Sequence, residues 1–181
     1  AQQQEDFTRE VILWIIVAVS ILLFISNFGI GGTIGNAVSR FFFGVMGLIA
    51  YVFPVLLLVG TFFAVSNRGN RVATVKLVAM ILFDLFLCML IELLTKGSAV
   101  DGAAAAYSYS FEHRTGGGFI GGLLAWIFCP NFGLAGSYVI DAIMLIISLV
   151  LITERSALRG MQKGGKKVYE SARSGNERHK E

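Results

Sequence analysis

Charged residues are scarce in this chain, and so are the residue types that bind metals or act as nucleophiles. Lys, Arg, Asp and Glu make up 15% of the 181 residues, and there are only two cysteines, two histidines and two prolines. Cys88 and Cys129 stand alone in apolar stretches, so they provide neither a metal-ligand spacing nor a disulfide framework. We interpret both cysteines as small apolar residues.

The sequence also lacks the common catalytic motifs. It contains no nucleophile elbow, no HExxH sequence and no paired-cysteine metal site. One literal match to a phosphate-binding loop, GMQKGGKK at 160–167, has Lys167 where a Ser or Thr would bind magnesium, and no strand precedes it. We attribute the match to a basic linker that contains glycine. We therefore expect neither an enzyme active site nor a cofactor in this chain.

Apolar residues are what the chain has in abundance. Hydrophobic residues make up 55% of it, and the mean hydropathy is +0.71, values typical of integral membrane proteins. Stretches of about 20 apolar residues can cross a bilayer as helices. We predict an all-α integral membrane protein with four transmembrane helices, at about 11–28, 41–65, 72–95 and 134–152.

A shorter apolar stretch precedes the last predicted span. Residues 119–129 are too few to cross, so we expect a half-length helix that enters the membrane, or lies at its surface, and turns back at CPNFG, residues 129–133. The preceding segment, 97–118, fits either a short helix or a small hairpin.

The predicted span 41–65 is longer than a bilayer requires. Its length, together with Pro54 in its interior, predicts tilt, a kink near Pro54, or both. Gly44 and Gly47 recur at helical spacing and would let a neighbouring backbone approach closely. The alternative is that small residues simply accumulate in membrane helices.

Three acidic residues lie within the predicted spans: Asp84, Glu92 and Asp141. Glu92 has Lys96 one turn away and can pair with it. Asp84 falls near mid-span, where an acid costs about 2.5–3.5 kcal/mol on insertion scales. Asp141 is somewhat shallower, so we expect water to reach it more easily. These acids serve either as a relay for ions or protons, or as polar contacts that fix the register between helices.

Basic residues are distributed unevenly along the chain. If both termini are cytoplasmic, twelve of the 15 Lys and Arg residues lie inside, and only Arg40, Lys96 and Arg114 lie outside. This arrangement makes 1–10 a cytoplasmic arm and 154–181 a basic amphipathic cytoplasmic linker. We expect the linker to lie against anionic lipid headgroups through Arg155, Arg159, Lys163, Lys166 and Lys167.

Two glycine-containing segments carry a resemblance to a known family. GTIGNAVSRFFFGVMGLIAYVFPVLLL at 32–58 and GGGFIGGLLAWIFCPNFG at 116–133 resemble the N-terminal membrane domain of FtsK/SpoIIIE-type bacterial DNA translocases. The resemblance covers about 11–153. It implies four membrane helices in the bacterial inner membrane, with both ends cytoplasmic. It also implies that these helices anchor an ATP-driven motor that moves chromosomal DNA at the division or sporulation septum.

The resemblance also implies partners that this sequence does not itself specify. Family motors work as hexamers, so we expect a homo-oligomer, with division-septum proteins as further partners. The Walker motifs and the DNA-reading domain are absent from these 181 residues, so ATP, magnesium and DNA are expected only at the missing motor. Without an initiator Met or a cleavable signal, the chain is expected to be a fragment or a renumbered sequence. The alternatives are a small ion or proton transporter that uses the intramembrane acids, and a purely structural assembly protein.

Overall fold

The described part of the chain is built from helices. The structure, a computed structural model, describes residues 2–67, 69–97 and 101–153, and within these ranges every regular element is helical. In chain order the elements are α1 (Gln2–Asn27), α2 (Gly32–Met46), a 3₁₀ helix (Gly47–Tyr51), α3 (Phe53–Ser66), α4 (Arg71–Lys96), α5 (Ala103–His113) and α6 (Gly118–Thr153).

Four stretches of helix have the length and apolar composition that a membrane crossing requires. They are Glu10–Asn27, Gly32–Tyr51, Arg71–Lys96 and Gly118–Thr153. This confirms the prediction of an all-helical membrane protein with four helices of membrane length. The second of them combines α2 with the 3₁₀ helix, whereas α3 is a shorter apolar helix.

The continuous helix predicted over 41–65 is not present. Helix α2 ends at Met46, and Gly47 takes a φ of 60°, a left-handed conformation that glycine adopts without a Cβ penalty. Pro54 lies in the first turn of α3, where its missing N–H would have no helical partner in any case. A break near Pro54 is therefore present, but it lies just before this proline, which begins a second helix and does not bend a continuous one.

The structure also describes segments on either side of the predicted spans. Helix α1 begins at Gln2, so residues 2–10 of the predicted arm are helical, and their cytoplasmic location stays a prediction. For the segment between α4 and α6, the sequence allows a short helix or a small hairpin; the structure has the short helix, α5. The basic linker 154–181 lies outside the described residues.

Helix α6 changes direction at Gly133. This residue has φ 69° and ψ 174°, a conformation nearly restricted to glycine. Leu124 and Leu145 pack against the same cluster, which consists of Ala125 of α6 itself and of Phe86, Met89 and Leu93 on α4. On a straight helix those two leucines would be about 32 Å apart, whereas the segment of α4 is only about 10 Å long. The turn lies within CPNFG, and membrane entry by the half-length helix predicted at 119–129 stays a prediction.

Helix α4 is the central element of the fold. One side of it packs against α6 through an apolar cluster of Phe86, Met89, Leu93 and Ala125. A second cluster, of Met46, Ile49 and Cys88, joins α4 to the end of α2 and to the 3₁₀ helix. The helix therefore connects the N-terminal and C-terminal halves of the described chain.

Candidate functional site: a glycine junction on helix α4

The most specific geometry in the structure is made by backbone rather than by catalytic side chains. Within residues 2–67, 69–97 and 101–153, no three His, Cys, Asp or Glu side chains come together in a way that could hold a metal ion. Instead, a set of glycines packs tightly on α4. We call this set the glycine junction; it consists of Gly47, Gly116, Gly117, Gly118 and Gly121 packed around Cys88 and Glu92.

The glycines of the junction are needed because the backbones nearly touch. A Cβ atom at Gly117 or Gly121 would overlap the carbonyl oxygen of Cys88 on α4, and a Cβ atom at Gly47 would overlap the carbonyl of Gly116. Clashes with backbone atoms cannot be relieved by a change of rotamer. The junction therefore accepts only glycine at these positions unless the helices move apart.

Glu92 is the polar centre of the junction. Its side chain is fully buried, and its Oε2 accepts a hydrogen bond of 2.8 Å from the backbone N–H of Gly117. Its Oε1 lies 3.5 Å from Nζ of Lys96, so the ion pair predicted from their spacing is present. A buried carboxylate is costly unless it is paired and hydrogen-bonded. Here Oε2 is hydrogen-bonded, whereas Oε1 has the ion pair but no hydrogen-bond partner among the described residues.

Further hydrogen bonds connect the junction to three more elements. The N–H of Gly118 donates to Oγ of Ser110 on α5 (3.1 Å), and the N–H of Leu48 in the 3₁₀ helix donates to the carbonyl of Gly116 (2.8 Å). The buried thiol of Cys88 donates to the carbonyl of Met46 at the end of α2 (3.4 Å). The junction thus joins α2, the 3₁₀ helix, α4, α5 and α6.

Three basic side chains gather around α5, at the same end of α4 as Lys96. Each lies over an aromatic ring: Arg40 over Phe111 at 4.5 Å, Lys96 over Tyr109 at 5.0 Å and Arg114 over Phe43 at 5.6 Å. These are the three bases that the sequence assigns to the outer side. Arg71 begins α4 and therefore lies about 38 Å away along the helix axis.

The intramembrane acids do not form one site. Asp84 precedes Glu92 by two helical turns, about 12 Å along α4. It is half-buried, and its Oδ1 has no hydrogen-bond partner among the described residues. Asp141 lies on α6 and is fully buried, again without a described partner for either carboxylate oxygen. The expectation that water reaches Asp141 more easily than Asp84 is therefore wrong within this chain.

The burial of Asp141 follows from its position on α6. Tyr138 and Leu145 precede and follow it by three and four residues and both pack against the Phe86–Leu93 cluster of α4. Ser137 is also fully buried, and it satisfies its hydroxyl internally by donating to the carbonyl of Gly133 at 2.8 Å. Asp141 thus lies in the middle of the α6 face that packs on α4.

The remaining predicted site residues fall into two groups. Gly44 lies under the ring of Tyr107 on α5, Gly47 belongs to the junction, and Pro54 is buried at the start of α3. The proposed lipid-facing bases lie outside the described residues: Arg155, Arg159, Lys163, Lys166 and Lys167.

Sequence reasoning missed the role of the 116–118 glycines and of Ser110. It treated the glycines only as the approach to a half-length helix. The available signal was the four-residue spacing of Gly117 and Gly121, which places two missing side chains on one face at the start of α6. No pattern pointed to Ser110, because a serine in a YSYSF segment has no distinctive spacing.

Comparison with known proteins gives a consistent result. The family described as the 4TM region of DNA translocase FtsK/SpoIIIE matches residues 25–165, which include the whole glycine junction. The chain is 28% identical over 159 residues to a DNA translocase FtsK of Caldanaerobacter subterraneus subsp. tengcongensis, covering 86% of this chain and 22% of that relative.

A second relative gives a similar match. The chain is 28% identical over 134 residues to a DNA translocase FtsK of Clostridium acetobutylicum, covering 70% of this chain and 17% of the relative. The chain therefore spans about a fifth of the length of these curated relatives. No solved structure matches it.

The junction predicts different effects for two substitutions of Glu92. Glu92→Leu leaves the N–H of Gly117 buried without an acceptor and should lower the free energy of unfolding by about 1–3 kcal/mol. Glu92→Gln keeps an acceptor oxygen for that N–H and loses mainly the ion pair with Lys96, so it should lower the free energy of unfolding by less than Glu92→Leu does. Unfolding by dodecyl sulfate in mixed micelles, followed by circular dichroism, measures both.

The matched control is Glu112, an exposed carboxylate on α5. Glu112→Leu should change the free energy of unfolding by no more than about 0.5 kcal/mol. Equal losses for Glu92→Leu and Glu92→Gln would contradict the assigned hydrogen bond to Gly117.

Proposed function

Because this chain belongs to the family of the 4TM region of DNA translocase FtsK/SpoIIIE, we propose that it is the membrane-anchoring and assembly domain of a septal DNA translocase. Such a translocase would segregate chromosomes during bacterial cell division or sporulation. The observation that carries the proposal is the extent of the family match, which covers α2 to α6 completely. In this proposal the chain has no catalytic role, and ATP, magnesium and DNA are handled by a cytoplasmic motor.

The distribution of basic residues supports an inner-membrane location with both termini in the cytoplasm. Arg40, Lys96 and Arg114 share one end of the described fold, and Arg71 lies at the opposite end of α4. Positive charge accumulates on the cytoplasmic side of membrane proteins. With four crossings, twelve of the 15 bases fall on the side of Arg71, including the eight of the basic linker 154–181, so in this proposal the end with Arg71 is the cytoplasmic one. The linker would then follow α6 on that side, against anionic lipid.

The packing of α6 suits the load that an anchor must bear. A motor attached beyond the linker would pull on the chain at the end of α6, after Thr153. Helix α6 is held on α4 by the Phe86–Leu93 cluster and by the glycine junction. Tension applied to α6 would thus be passed to α4, and through the junction to α5 and the 3₁₀ helix. Assembly into a homo-oligomer, a hexamer if it follows the motor, would share this load, and septal proteins would fix its position.

The anchor proposal predicts where each end of the fold is found in a living cell. A green fluorescent protein fused after Glu181 should fluoresce from the cytoplasmic face and be enriched at division septa. Asp101 is exposed close to the start of α5. An Asp101→Cys variant, in a Cys129→Ala background, should react with an impermeant maleimide added outside the cell.

Two results would contradict this proposal in different ways. A phosphatase that is active when fused after Glu181 would overturn the orientation. A uniform distribution of the fluorescent fusion around the cell would overturn the septal role and leave the membrane domain itself unaffected.

A transport function is the second candidate, and we propose it because Asp84 and Asp141 have buried oxygens without a described partner. Ionisable groups inside membrane helices commonly mark ion or proton paths. The separation of Asp84 from Glu92 along α4 favours the anchor instead. A proton relay needs ionisable groups that lie next to one another in space, and these two lie two helical turns apart.

The transport hypothesis makes a prediction opposite to that of the anchor. Under the transport hypothesis, purified protein in vesicles containing a pH-sensitive dye passes protons, and Asp84→Asn abolishes the flux while the exposed control Glu112→Gln does not. The anchor proposal predicts no flux above that of empty vesicles for any of the three proteins. A wild-type flux that Asp84→Asn removes would replace the anchor as the leading function.

A further inference from the structure

Between α1 and α3 the chain leaves the end of α1 and then returns to that same end. Nδ2 of Asn27, the last residue of α1, donates a hydrogen bond of 2.6 Å to the carbonyl oxygen of Ala50. Next to this contact, the rings of Phe28 and Tyr51 lie 6.2 Å apart. Residues 28–50 therefore leave the end of α1 and come back to it. A segment whose two ends touch cannot carry the chain from one face of a bilayer to the other.

Helix α2 runs across the end of α1 and not back along it. Gly31 and Gly35 both lie against the side chain of Ser26, and Oγ of Ser39 donates to Oδ1 of Asn27 at 2.8 Å. In an antiparallel hairpin closed by the contact between Ser26 and Gly31, Ser39 would lie about 12 Å deeper along α1. Its actual partner is in the last turn of α1, so the two helices cross steeply.

Helix α2 is paired instead with α5. Gly44 lies against Tyr107, and Arg40 lies over Phe111, so the two helices run antiparallel to each other. Helix α5 follows Lys96, at one end of α4. The pair α2 and α5 thus forms a layer across that end of the fold.

The outward side of α2 carries an apolar stripe. Ile34, Val38 and Phe41 are 83%, 39% and 52% exposed, and their spacing places them on one face of the helix. The face that packs inward includes Ser39 and Phe43, both fully buried. An isolated apolar stripe at the end of a membrane domain is suited to the acyl chains just below the headgroups.

We propose that α2 is an interfacial helix lying in the plane of the membrane, with Ile34, Val38 and Phe41 inserted into the adjacent lipid leaflet. Arg40 lies on the side of α2 that contacts α5, over the ring of Phe111, and it is exposed, so its charge is available to lipid phosphates at the same level. The second crossing is then made by residues 51–66, which are mostly α3, and not by Gly32–Tyr51.

This assignment keeps the number of crossings at four. They are α1, residues 51–66, α4 and the part of α6 after Gly133, so the distribution of basic residues over the two sides is unchanged. Helix α3 alone is about 21 Å long, shorter than a hydrocarbon core of about 30 Å. Such a short span is accommodated by local thinning of the bilayer. The proposal concerns the depth of α2 and holds whichever side of the membrane it faces, so it stands or falls separately from the anchor function.

Depth-dependent quenching tests the proposal directly. Ile34→Cys, Val38→Cys and Phe41→Cys, each in a Cys129→Ala background with the buried Cys88 retained, are labelled with an environment-sensitive fluorophore. The labelled full chains are placed in vesicles of phosphatidylethanolamine and phosphatidylglycerol brominated at shallow or deep acyl positions. All three labels should be quenched to the same extent, and more strongly by shallow bromines than by deep ones.

The matched control series lies on α4, where Val75, Val78 and Ile81 are about equally exposed. Labels at these positions should show a steady change of depth, about 1.5 Å for each residue along the helix. A similar gradient on α2, with the labels at positions 34 and 41 differing by about 10 Å, would overturn the proposal in favour of a crossing helix. Failure of lipid to quench the α2 labels, with cross-linking of Ile34→Cys between copies, would overturn it in favour of a protein contact.

Discussion

The contact between the glycines that begin α6 and the backbone of α4 is the constraint on which the rest of the structure depends. Gly117 and Gly121 bring two main chains together at the carbonyl of Cys88, and the buried carboxylate of Glu92 accepts the N–H that this approach would otherwise leave unpaired. Close approach and hydrogen-bond satisfaction support each other here, since a low-dielectric site penalises unpaired polar groups. Loss of the close backbone approach, or loss of the hydrogen bond to Glu92, would separate α6 from α4.

The junction also determines how the N-terminal half of the chain is arranged. Leu48 bonds to the carbonyl of Gly116, which draws the 3₁₀ helix against the segment between α5 and α6. That contact requires the chain to interrupt its helix at Gly47, and the interruption lets residues 28–50 fold back to the end of α1. A long apolar run is thereby divided between α2, which lies in a surface layer, and α3, which makes a short crossing. Hydropathy alone treats such a run as one helix.

The sequence predicted those parts of the fold that depend on composition and local spacing. Helix α4 agrees with the predicted span 72–95 within one residue at each end, and the Glu92–Lys96 pair follows from helical periodicity. The interruption at Gly47 was not predicted, because it is stabilised by Gly116, which is 69 residues away. The burial of Asp141 was missed because it results from the packing of α6 on α4, and no local pattern encodes which helix covers a side chain.

Replacing Gly121 by alanine tests the central claim most directly, with Gly60 as the comparison. Both glycines lie inside helices, but a Cβ at Gly121 would meet the carbonyl of Cys88, whereas a Cβ at Gly60 would have nothing within 4 Å. Helix propensity alone would make each alanine stabilising by up to about 1 kcal/mol. The account predicts this gain for Gly60→Ala and a loss of about 1–3 kcal/mol in unfolding free energy for Gly121→Ala. Equal gains for the two variants would contradict the close packing of α6 on α4.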